Sequence, residues 1–282
     1  MKVLQSKKYA IFTGKVGLYV VVSAVAVIMI APFYWMFVTS VSPVQDIVSF
    51  PPKWLPSYLV FGHFVEVLNK APFHFYYMNS LTVAVVSAGC SLFFGLFAGY
   101  AFAVYRFPLQ NFFFILILST IMVPFQVTLV ALYILVAKIG WVDTLWGILA
   151  PNFASALGVF LVRQSIKSIP PDLIEAARLD GAGEIRIVLT IVAPLIKATL
   201  ATVGMILFLN SWNDFLWPVI VINSRNLRTV PVGIALFKDP YGSMNYGPLM
   251  AATVISIAPM LIAYIFSQKF IVKGIAVTGL KG

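Results

Sequence analysis

Long apolar stretches separated by short polar segments dominate the hydrophobic pattern of this chain. Each stretch can hold the ~20 apolar residues that an α-helix needs to cross a hydrocarbon layer of ~30 Å. The stretches without charge, or with Asp214 alone in the fifth, are residues 16–45, 71–105, 107–137, 144–162, 198–224 and 240–268. The pattern predicts an all-α integral membrane protein with one transmembrane domain over residues 1–282. The six predicted spans cover about 16–40, 80–105, 112–137, 144–162, 198–222 and 249–268.

Composition supports this class. Hydrophobic residues make up 61% of the chain and charged residues 10%, whereas soluble domains carry roughly 25% charged residues. The composition therefore excludes an ordinary soluble protein.

The first apolar stretch has two interpretations. Four lysines precede it, and the residues Ala24, Val25 and Ala26 resemble a signal-peptide cleavage site. Uncharged sequence continues beyond that site through Ser40, which favours an uncleaved membrane anchor.

The distribution of basic residues predicts the orientation of the chain. Six spans place both termini on one side, and this side receives thirteen of the 19 basic residues: Lys2, Lys7, Lys8, Lys15, Arg106, Arg163, Lys167, Arg178, Arg186, Lys197, Lys269, Lys273 and Lys281. Cytoplasmic loops of membrane proteins carry an excess of Lys and Arg. We therefore expect both termini in the cytoplasm, and the net charge of +10 reflects this rule rather than binding to nucleic acid.

Small residues recur every four positions along the second stretch, at Ser87, Ser91, Gly95, Gly99 and Ala103. Such a face allows another helix to approach closely in a membrane. It predicts either a helix contact inside the bundle or a seam with a partner subunit. The single cysteine, Cys90, lies in the same stretch and is expected to be a packing residue.

Motifs for metal binding and for enzymatic chemistry are absent from the sequence. The two histidines, His63 and His74, have no further ligands at the usual spacing for a metal. No HExxH, GxSxG or GxxxxGK[ST] motif occurs, and the segment "GIAVTGLKG" at residues 274–282 misplaces the lysine of a phosphate-binding loop. The spans also lack the buried relays of ionisable residues that proton-driven transporters usually carry. We expect no cofactor, and an energy source in another protein.

One loop is unusually acidic. Residues 170–194, "PPDLIEAARLDGAGEIRIVLTIVAP", contain four of the nine acidic residues. Asp172 and Glu175 have the spacing of a capping box, and Gly181 is suited to end a helix. The pattern predicts a helix over residues 173–180 and a second amphipathic segment over 184–194.

Ala176 and Ala177 would offer a smooth face to a partner, and the charges of Glu175 and Arg178 would add contacts. Anchoring at lipid headgroups is the alternative.

At these residues the chain resembles the permease subunits of binding-protein-dependent ABC importers. Their cytoplasmic loop contains E-A-A, three residues, G, nine residues and I-x-L-P, and the matching positions here are Glu175, Ala176, Ala177, Gly181, Ile191 and Pro194. Ala193 replaces the usual leucine. The segments "FPPKWLPSY", "NSLTVA", "YRFP", "MVPFQVTLVALY", "GWVDTLWGILAP", "SWNDFLWP" and "VKGIAVTGLKG" resemble the shorter six-helix subunit of the maltose-type carbohydrate branch.

The resemblance implies a division of labour in a prokaryotic inner membrane. Two permease subunits would form the pathway, two cytoplasmic ATP-binding subunits would each receive one loop helix, and an extracytoplasmic sugar-binding protein would deliver the solute. In this chain the residues expected to couple to the ATPase are Glu175, Ala176, Ala177, Asp180, Gly181, Ile191 and Pro194. A polyol or a glycerol phosphodiester is the alternative solute. A secondary carrier driven by an ion gradient is the alternative class.

Asp214 is the only acidic residue inside a predicted span. On a continuous helix, Asn210, Asn213, Asp214 and Trp217 would share one face, at i, i+3, i+4 and i+7. Amide and carboxylate oxygens can bond to sugar hydroxyls, and an indole can cover a sugar ring, so this face is a candidate pathway. Asn and Asp also join transmembrane helices to one another, and Pro218 is expected to bend the helix, so a structural role stays open.

Overall fold

The computed structural model describes the backbone of residues 2–235 and 245–279, and the side chains of residues 15–235 and 245–269. Its regular elements are helical, without strands among these residues. The α-helices are α1 Lys2–Val41, α2 Val44–Ile47, α3 Gly62–Lys70, α4 Phe73–Val104, α5 Gln110–Met122, α6 Phe125–Lys138, α7 Leu145–Leu149, α8 Ala156–Ile166, α9 Pro171–Leu179, α10 Glu184–Arg186, α11 Ala193–Leu195, α12 Lys197–Trp212, α13 Leu216–Val221, α14 Val230–Ala235 and α15 Tyr246–Gly279. A π-helical turn, Ile187–Val192, joins α10 to α11.

Two compact units can be distinguished by their internal contacts. One draws its residues from 1–70 and 237–255, and the other from 71–236 and 256–282. In the first unit, Asp46 anchors the loop that follows α2: its Oδ1 lies 2.6 Å from Lys53 Nζ, and its Oδ2 accepts the Ser57 N–H at 2.7 Å. His63 Nε2 lies 2.9 Å from the carbonyl oxygen of Ser42. This histidine therefore connects α3 to the end of α1.

Four segments among the described residues are long and apolar enough to cross a membrane: Lys15–Val41, Phe73–Val104, Leu145–Ile166 and Tyr246–Lys269. Two bent helix pairs raise the number to six if each pair is one span, namely α5 with α6, and Glu184–Leu195 with Lys197–Val221. The second span begins earlier than the predicted residue 80, and the last helix continues past the predicted residue 268.

A continuous third span over residues 112–137 is wrong. The axes of α5 and α6 differ by 101° across a break at Val123 and Pro124. Proline has no N–H to donate, and its ring keeps the preceding residue out of the helical region. Val123 is extended, with φ of −84° and ψ of 115°, so the bend coincides with the proline.

The fifth span is also discontinuous. α12 ends at Trp212 and α13 begins at Leu216. Pro218 explains the interruption. In a continuous helix its ring would clash with the carbonyl of Asp214, four residues earlier, and it has no N–H to donate to that carbonyl. The Oδ1 of Asp214 accepts the N–H of Trp217 at 3.4 Å, so this carboxylate is bonded to the first turn of α13.

α4 is the central helix of the second unit, where α8, α12, α7 and α14 pack against it. The small-residue face contacts α8 inside this chain. A methyl group added at Gly99 would lie 2.8 Å from Val162 Cγ1 and 3.0 Å from Arg163 N, and one added at Gly95 would lie 3.4 Å from the Gly158 carbonyl carbon. Backbones can approach this closely only where side chains are absent.

Asp143 joins two loops of the second unit, after α6 and after α13. Its Oδ1 accepts the N–H groups of Asn223 at 2.9 Å and Ser224 at 2.7 Å, and the Ser224 hydroxyl donates to Oδ2. Its own N–H donates to the carbonyl of Val221 at 2.9 Å. The bonds from Ser224 hold the pKa of this carboxyl below its usual value of 3.8, because hydrogen bonds to the charged form favour that form.

Candidate functional site

The acidic loop folds as a short helix, α9, that begins at Pro171 rather than at the predicted Leu173. Pro170 is the residue before the helix, and no side chain caps its first turn. The expected capping box of Asp172 and Glu175 is therefore wrong. Proline is favoured at the first helical position because its φ is already suitable and its missing N–H would be unpaired there anyway. Asp172 instead places its charge in the first turn, where it interacts favourably with the helix dipole.

Gly181 ends α9 as expected. Its φ is +79°, a left-handed conformation that glycine adopts without steric cost. The Ala182 N–H donates to the carbonyl of Ala177 at 3.0 Å, and the Gly181 N–H donates to that of Arg178 at 3.0 Å. These two bonds form a Schellman motif, which turns the chain sharply after the helix.

The two faces of α9 differ in burial. Ile174 and Ala177 are buried and belong to a core cluster that includes Tyr100 of α4 and Ile166 of α8. The expectation that Ala176 and Ala177 form one outward face is therefore wrong, since Ala177 faces the core. The residues exposed on the outer side are Asp172, Leu173, Glu175, Ala176, Leu179 and Asp180. Leu179 is 89% exposed, which is unusual for a leucine at the end of a polar helix.

Arg178 pairs within the chain. Its Nε lies 2.7 Å from Glu184 Oε1, and its terminal NH2 group lies 3.3 Å from Oε2. Tyr100 of α4 donates its hydroxyl proton to the same Oε2 at 2.5 Å. The hydrogen bond that the Arg178 guanidinium donates to Glu184 holds the pKa of Arg178 above its usual value. Glu184 therefore connects α9 to a membrane-spanning helix, and Arg178 is less available to a partner than the sequence suggested.

The segment after the turn lies across the axis of the fifth span. Glu184–Leu195 makes an angle of 87° with Lys197–Val221. Ile187, Val188 and Val192 are buried in the same core cluster as α9, and Ile191 packs against that cluster. Pro194 is exposed. One side of the loop thus packs by apolar contacts against the core cluster that includes Tyr100 and Ile166. The other side presents the outer face of α9.

A polar cavity of 190 Å³ lies between α4, α12 and the turn before α8. Its lining residues are Ser87, Ser91, Asn152, Ala154, Ser155, Leu207, Asn210, Ser211 and Asp214. The Ser91 hydroxyl donates to the carbonyl of Asn152 at 2.6 Å, and the Asn152 amide donates to that of Ile148 at 3.1 Å. These bonds orient one wall of the cavity.

Two hydroxyl groups of this lining are buried without a partner. Ser87 Oγ on α4 and Ser211 Oγ on α12 make no hydrogen bond among the residues that the structure describes. Buried hydroxyl groups are normally hydrogen-bonded. The cavity therefore offers hydrogen-bonding capacity that the protein itself does not use.

The predicted pathway face of the fifth span is divided by the break at residues 213–215. Asn210 and Asp214 line the polar cavity. Asn213 is exposed and donates its amide to the carbonyl of Leu209 at 2.9 Å. Trp217 is 1% exposed, and its Nε1 donates to the carbonyl of Gly147 at 2.9 Å. A single helical face containing all four residues is wrong, because the helix does not continue through them.

A second cavity of 420 Å³ shares two residues with the first, Asn152 and Asp214. Its lining residues are Phe125, Thr128, Leu132, Pro151, Asn152, Asp214 and Trp217. The sequence pattern identified Asp214 and Trp217 but not Asn152, Ser155 or Ser211. Ser87 and Ser91 were identified for packing alone, because their spacing reports only which helix face they occupy.

Residues 91–277 match a protein family described as "binding-protein-dependent transport system inner membrane component". This match includes the acidic loop, every lining residue of the polar cavity except Ser87, and most of α15.

Curated relatives match over most of their length. The arabinooligosaccharides transport system permease protein AraQ of Halalkalibacterium halodurans is 37% identical, over 80% of this chain and 81% of AraQ. The sn-glycerol-3-phosphate transport system permease protein UgpE of Pectobacterium atrosepticum is 30% identical, over 86% of this chain and 89% of UgpE.

A chain of a solved structure has the same fold. It belongs to a bacterial ABC transporter involved in the import of the acidic polysaccharide alginate. The TM-score is 0.78 at 23% sequence identity, and the similarity covers 90% of this chain and 94% of the other.

Proposed function

Because the chain belongs to the family of inner membrane components of binding-protein-dependent transport systems, we propose that it is a permease subunit of an ATP-driven ABC importer that takes up a carbohydrate. The observation that supports this proposal most strongly is the 37% identity to an arabinooligosaccharide permease over four fifths of the chain. The described residues contain no group of three or more potential metal ligands, and the proposed transport role does not require a metal.

The lining of the two adjoining cavities favours a neutral, hydroxylated solute. It contains one carboxylate, two amides and several hydroxyl groups, but no Lys or Arg. Carboxylate and amide oxygens accept hydrogen bonds from sugar hydroxyls, and the free hydroxyls of Ser87 and Ser211 can both donate and accept. We propose that Asn210 and Asp214 face the transport pathway, together with these two serines.

A glycerol phosphate is the second candidate solute. It is favoured by the 30% identity to a glycerol-3-phosphate permease. A phosphate group binds most readily to Arg, Lys or helix N-termini, and the carboxylate of Asp214 would repel it. The cavity lining therefore supports a carbohydrate over a phosphorylated solute.

The outer face of α9 is the proposed contact with an ATP-binding subunit. An exposed leucine beside exposed acidic residues suits a protein partner, because a buried apolar contact surrounded by polar groups is typical of interfaces. We propose that Glu175, Ala176, Leu179 and Asp180 contact this partner, while Ala177, Gly181, Ile191 and Pro194 set the geometry of the loop.

The complete importer would contain a second permease subunit, two ATP-binding subunits and an extracytoplasmic solute-binding protein. The excess of basic residues on the side of α9 supports a cytoplasmic location for that side, and with it for both termini.

Reconstitution tests the proposal directly. The chain would be assembled in proteoliposomes with the second permease subunit, the ATP-binding subunits and the solute-binding protein of its importer. Uptake of labelled neutral oligosaccharides and of glycerol 3-phosphate would be measured. We expect ATP-dependent uptake of an oligosaccharide. Uptake of glycerol 3-phosphate alone would select the second candidate, and uptake driven by an ion gradient without ATP would contradict both.

A further inference from the structure

A third cavity, of 650 Å³, lies on the inner side of α9 and contains an unusual concentration of positive charge. It is formed by the end of α4, the connection to α5, the end of α8 and α9. Its charged and amide-bearing lining residues are Arg106, Gln110, Asn111, Arg163, Lys167, Glu175 and Arg178. Of the residues proposed for transport or coupling, only Glu175 borders this cavity.

Arg163 is the buried member of the group, with an exposed fraction of 8%. Its Nε donates to the carbonyl of Phe102 at 3.0 Å, and its guanidinium carbon lies 3.9 Å from the centre of the Phe114 ring. Its two terminal nitrogens have no acceptor among the residues that the structure describes, and no carboxylate pairs with it there. These nitrogens are not among the buried atoms without a partner, so they are open to the cavity that Arg163 lines, where an anion can accept hydrogen bonds from them.

Two exposed cations lie near Arg163 in the same lining, Arg106 and Lys167. Within the described part of the chain, neither forms an ion pair. Arg178 is already neutralised by Glu184, and Glu175 is the only carboxylate in the lining. The cavity therefore has a net positive charge, and its hydrogen-bond donors match the oxygens of a phosphate group.

The surroundings of the cavity are suited to a lipid rather than to a free anion. The cavity lies at the end of two membrane-spanning segments, and α5 begins at its edge with Gln110 and Asn111. The next side chains, Phe112 and Phe113, are exposed and apolar, as is Leu109. Acyl chains can cover such side chains, whereas inorganic phosphate cannot.

We propose that this cavity binds the phosphate headgroup of an anionic phospholipid beside the coupling helix. Arg163 would contact the phosphate, Arg106 and Lys167 would hold it at the mouth, and the acyl chains would lie against the first turn of α5. Basic pockets between transmembrane helices on the cytoplasmic side are known to bind anionic headgroups. Because α9 forms one wall, the bound lipid would stabilise the position of the loop.

Lipid binding can be measured on the assembled importer by native mass spectrometry. Dioleoyl phosphatidylglycerol and dioleoyl phosphatidylcholine would be titrated into the detergent-solubilised complex, with and without inorganic phosphate. Arg106→Gln and Lys167→Gln remove exposed charges and leave the buried Arg163 intact. Lys197→Gln is the matched control, because it removes an exposed charge from the start of α12, outside this cavity.

We expect the wild type and Lys197→Gln to retain phosphatidylglycerol in preference to phosphatidylcholine. Each cavity variant should weaken phosphatidylglycerol binding about fivefold, and the double variant about 25-fold, because one basic residue near a membrane surface contributes about that factor.

Equal binding by the control and the cavity variants would overturn the proposal. So would displacement of the lipid by inorganic phosphate at equal concentration, which would indicate a free-anion site. Binding by the separated permease but not by the assembled importer would assign the cavity to the partner subunit instead.

Discussion

Asp214 combines two roles at the scale of a single residue. One of its carboxylate oxygens accepts the N–H of Trp217 in the first turn of α13, while the same side chain borders both polar cavities. A carboxylate inside a membrane-spanning segment is rare and usually faces water, a partner or a substrate. The break in the helix and the candidate solute site therefore depend on one group.

Asp214→Asn should separate these roles, because asparagine can still accept the bond from Trp217 but loses the negative charge. We expect assembly to remain intact and the half-saturation concentration for the sugar to rise about tenfold, since hydrogen bonds to charged groups contribute on the order of 1.5 kcal/mol or more. The measurement is uptake in proteoliposomes. Asn213→Ala is the control, because Asn213 lies outside both cavities. Unchanged transport of every sugar by Asp214→Asn would contradict the pathway role.

Asp143 provides a prediction about pH. Its folded-state pKa is held below 3.8, first by the hydrogen bond from the Ser224 side chain. The stabilisation is therefore complete above the unfolded pKa and is lost as pH falls through the lowered folded pKa. We expect Asp143→Asn to reduce the melting temperature near pH 7, and the difference from the wild type to shrink below about pH 4. Thermal unfolding of the purified permease across this range is the measurement, and a constant difference would refute the explanation.

At the scale of elements, α9 is fixed on its inner side and free on its outer side. Ile174 and Ala177 pack into the core, and Glu184 ties the turn after the helix to Tyr100. A helix held in this way can transmit a displacement of its partner to α4 and α8, because it cannot move without them.

Glu175→Lys reverses a charge on the outer face of α9 without touching the core. We expect normal insertion but a drop of about tenfold in uptake and in transport-stimulated ATP hydrolysis, because a reversed charge forced into an interface weakens docking. Lys138→Glu serves as the comparison, since it reverses an exposed charge at the end of α6. Normal uptake by Glu175→Lys at normal membrane levels would exclude a coupling contact at this residue.

The contact between α4 and α8 gives a matched pair of glycine substitutions. Gly99→Ala should destabilise the permease by about 1–3 kcal/mol, because the added methyl group would overlap the buried side chain of Val162. Gly89→Ala on the same helix should be neutral or stabilising, since nothing lies within 4 Å of the added group. Melting temperatures of the two purified variants would test this, and equal temperatures would argue against close packing at Gly99.

At the scale of the whole molecule, the proposed orientation places Arg186 in the cytoplasm and Lys138 outside. Both side chains are exposed, so each can be replaced by cysteine in a Cys90→Ser background. A membrane-impermeant maleimide should label Lys138→Cys in intact cells, and Arg186→Cys only after the cells are permeabilised. The Cys90→Ser parent should stay unlabelled. The reverse pattern would require the opposite orientation.

Much of this protein followed from the sequence alone. The six apolar stretches, the membrane class and the short helix ended by Gly181 depend on hydrophobicity and on residues close together in the chain. The spacing of Ser87, Ser91, Gly95 and Gly99 likewise showed which face of α4 permits close approach. The family resemblance rested on the residues of the acidic loop, and the match over residues 91–277 confirms it.

Only the tertiary structure decided which neighbours these elements have. Tyr100 and Glu184 are 84 positions apart, and no local pattern indicates that they meet. Ala176 and Ala177 are adjacent and chemically identical, yet one faces outward and the other packs into the core. The Trp217 indole donates to the carbonyl of Gly147, 70 positions away along the chain, and the same side chain lines the cavity of 420 Å³. The physical reason is that burial and pairing depend on contacts between distant segments, whereas the sequence directly specifies only local geometry and polarity.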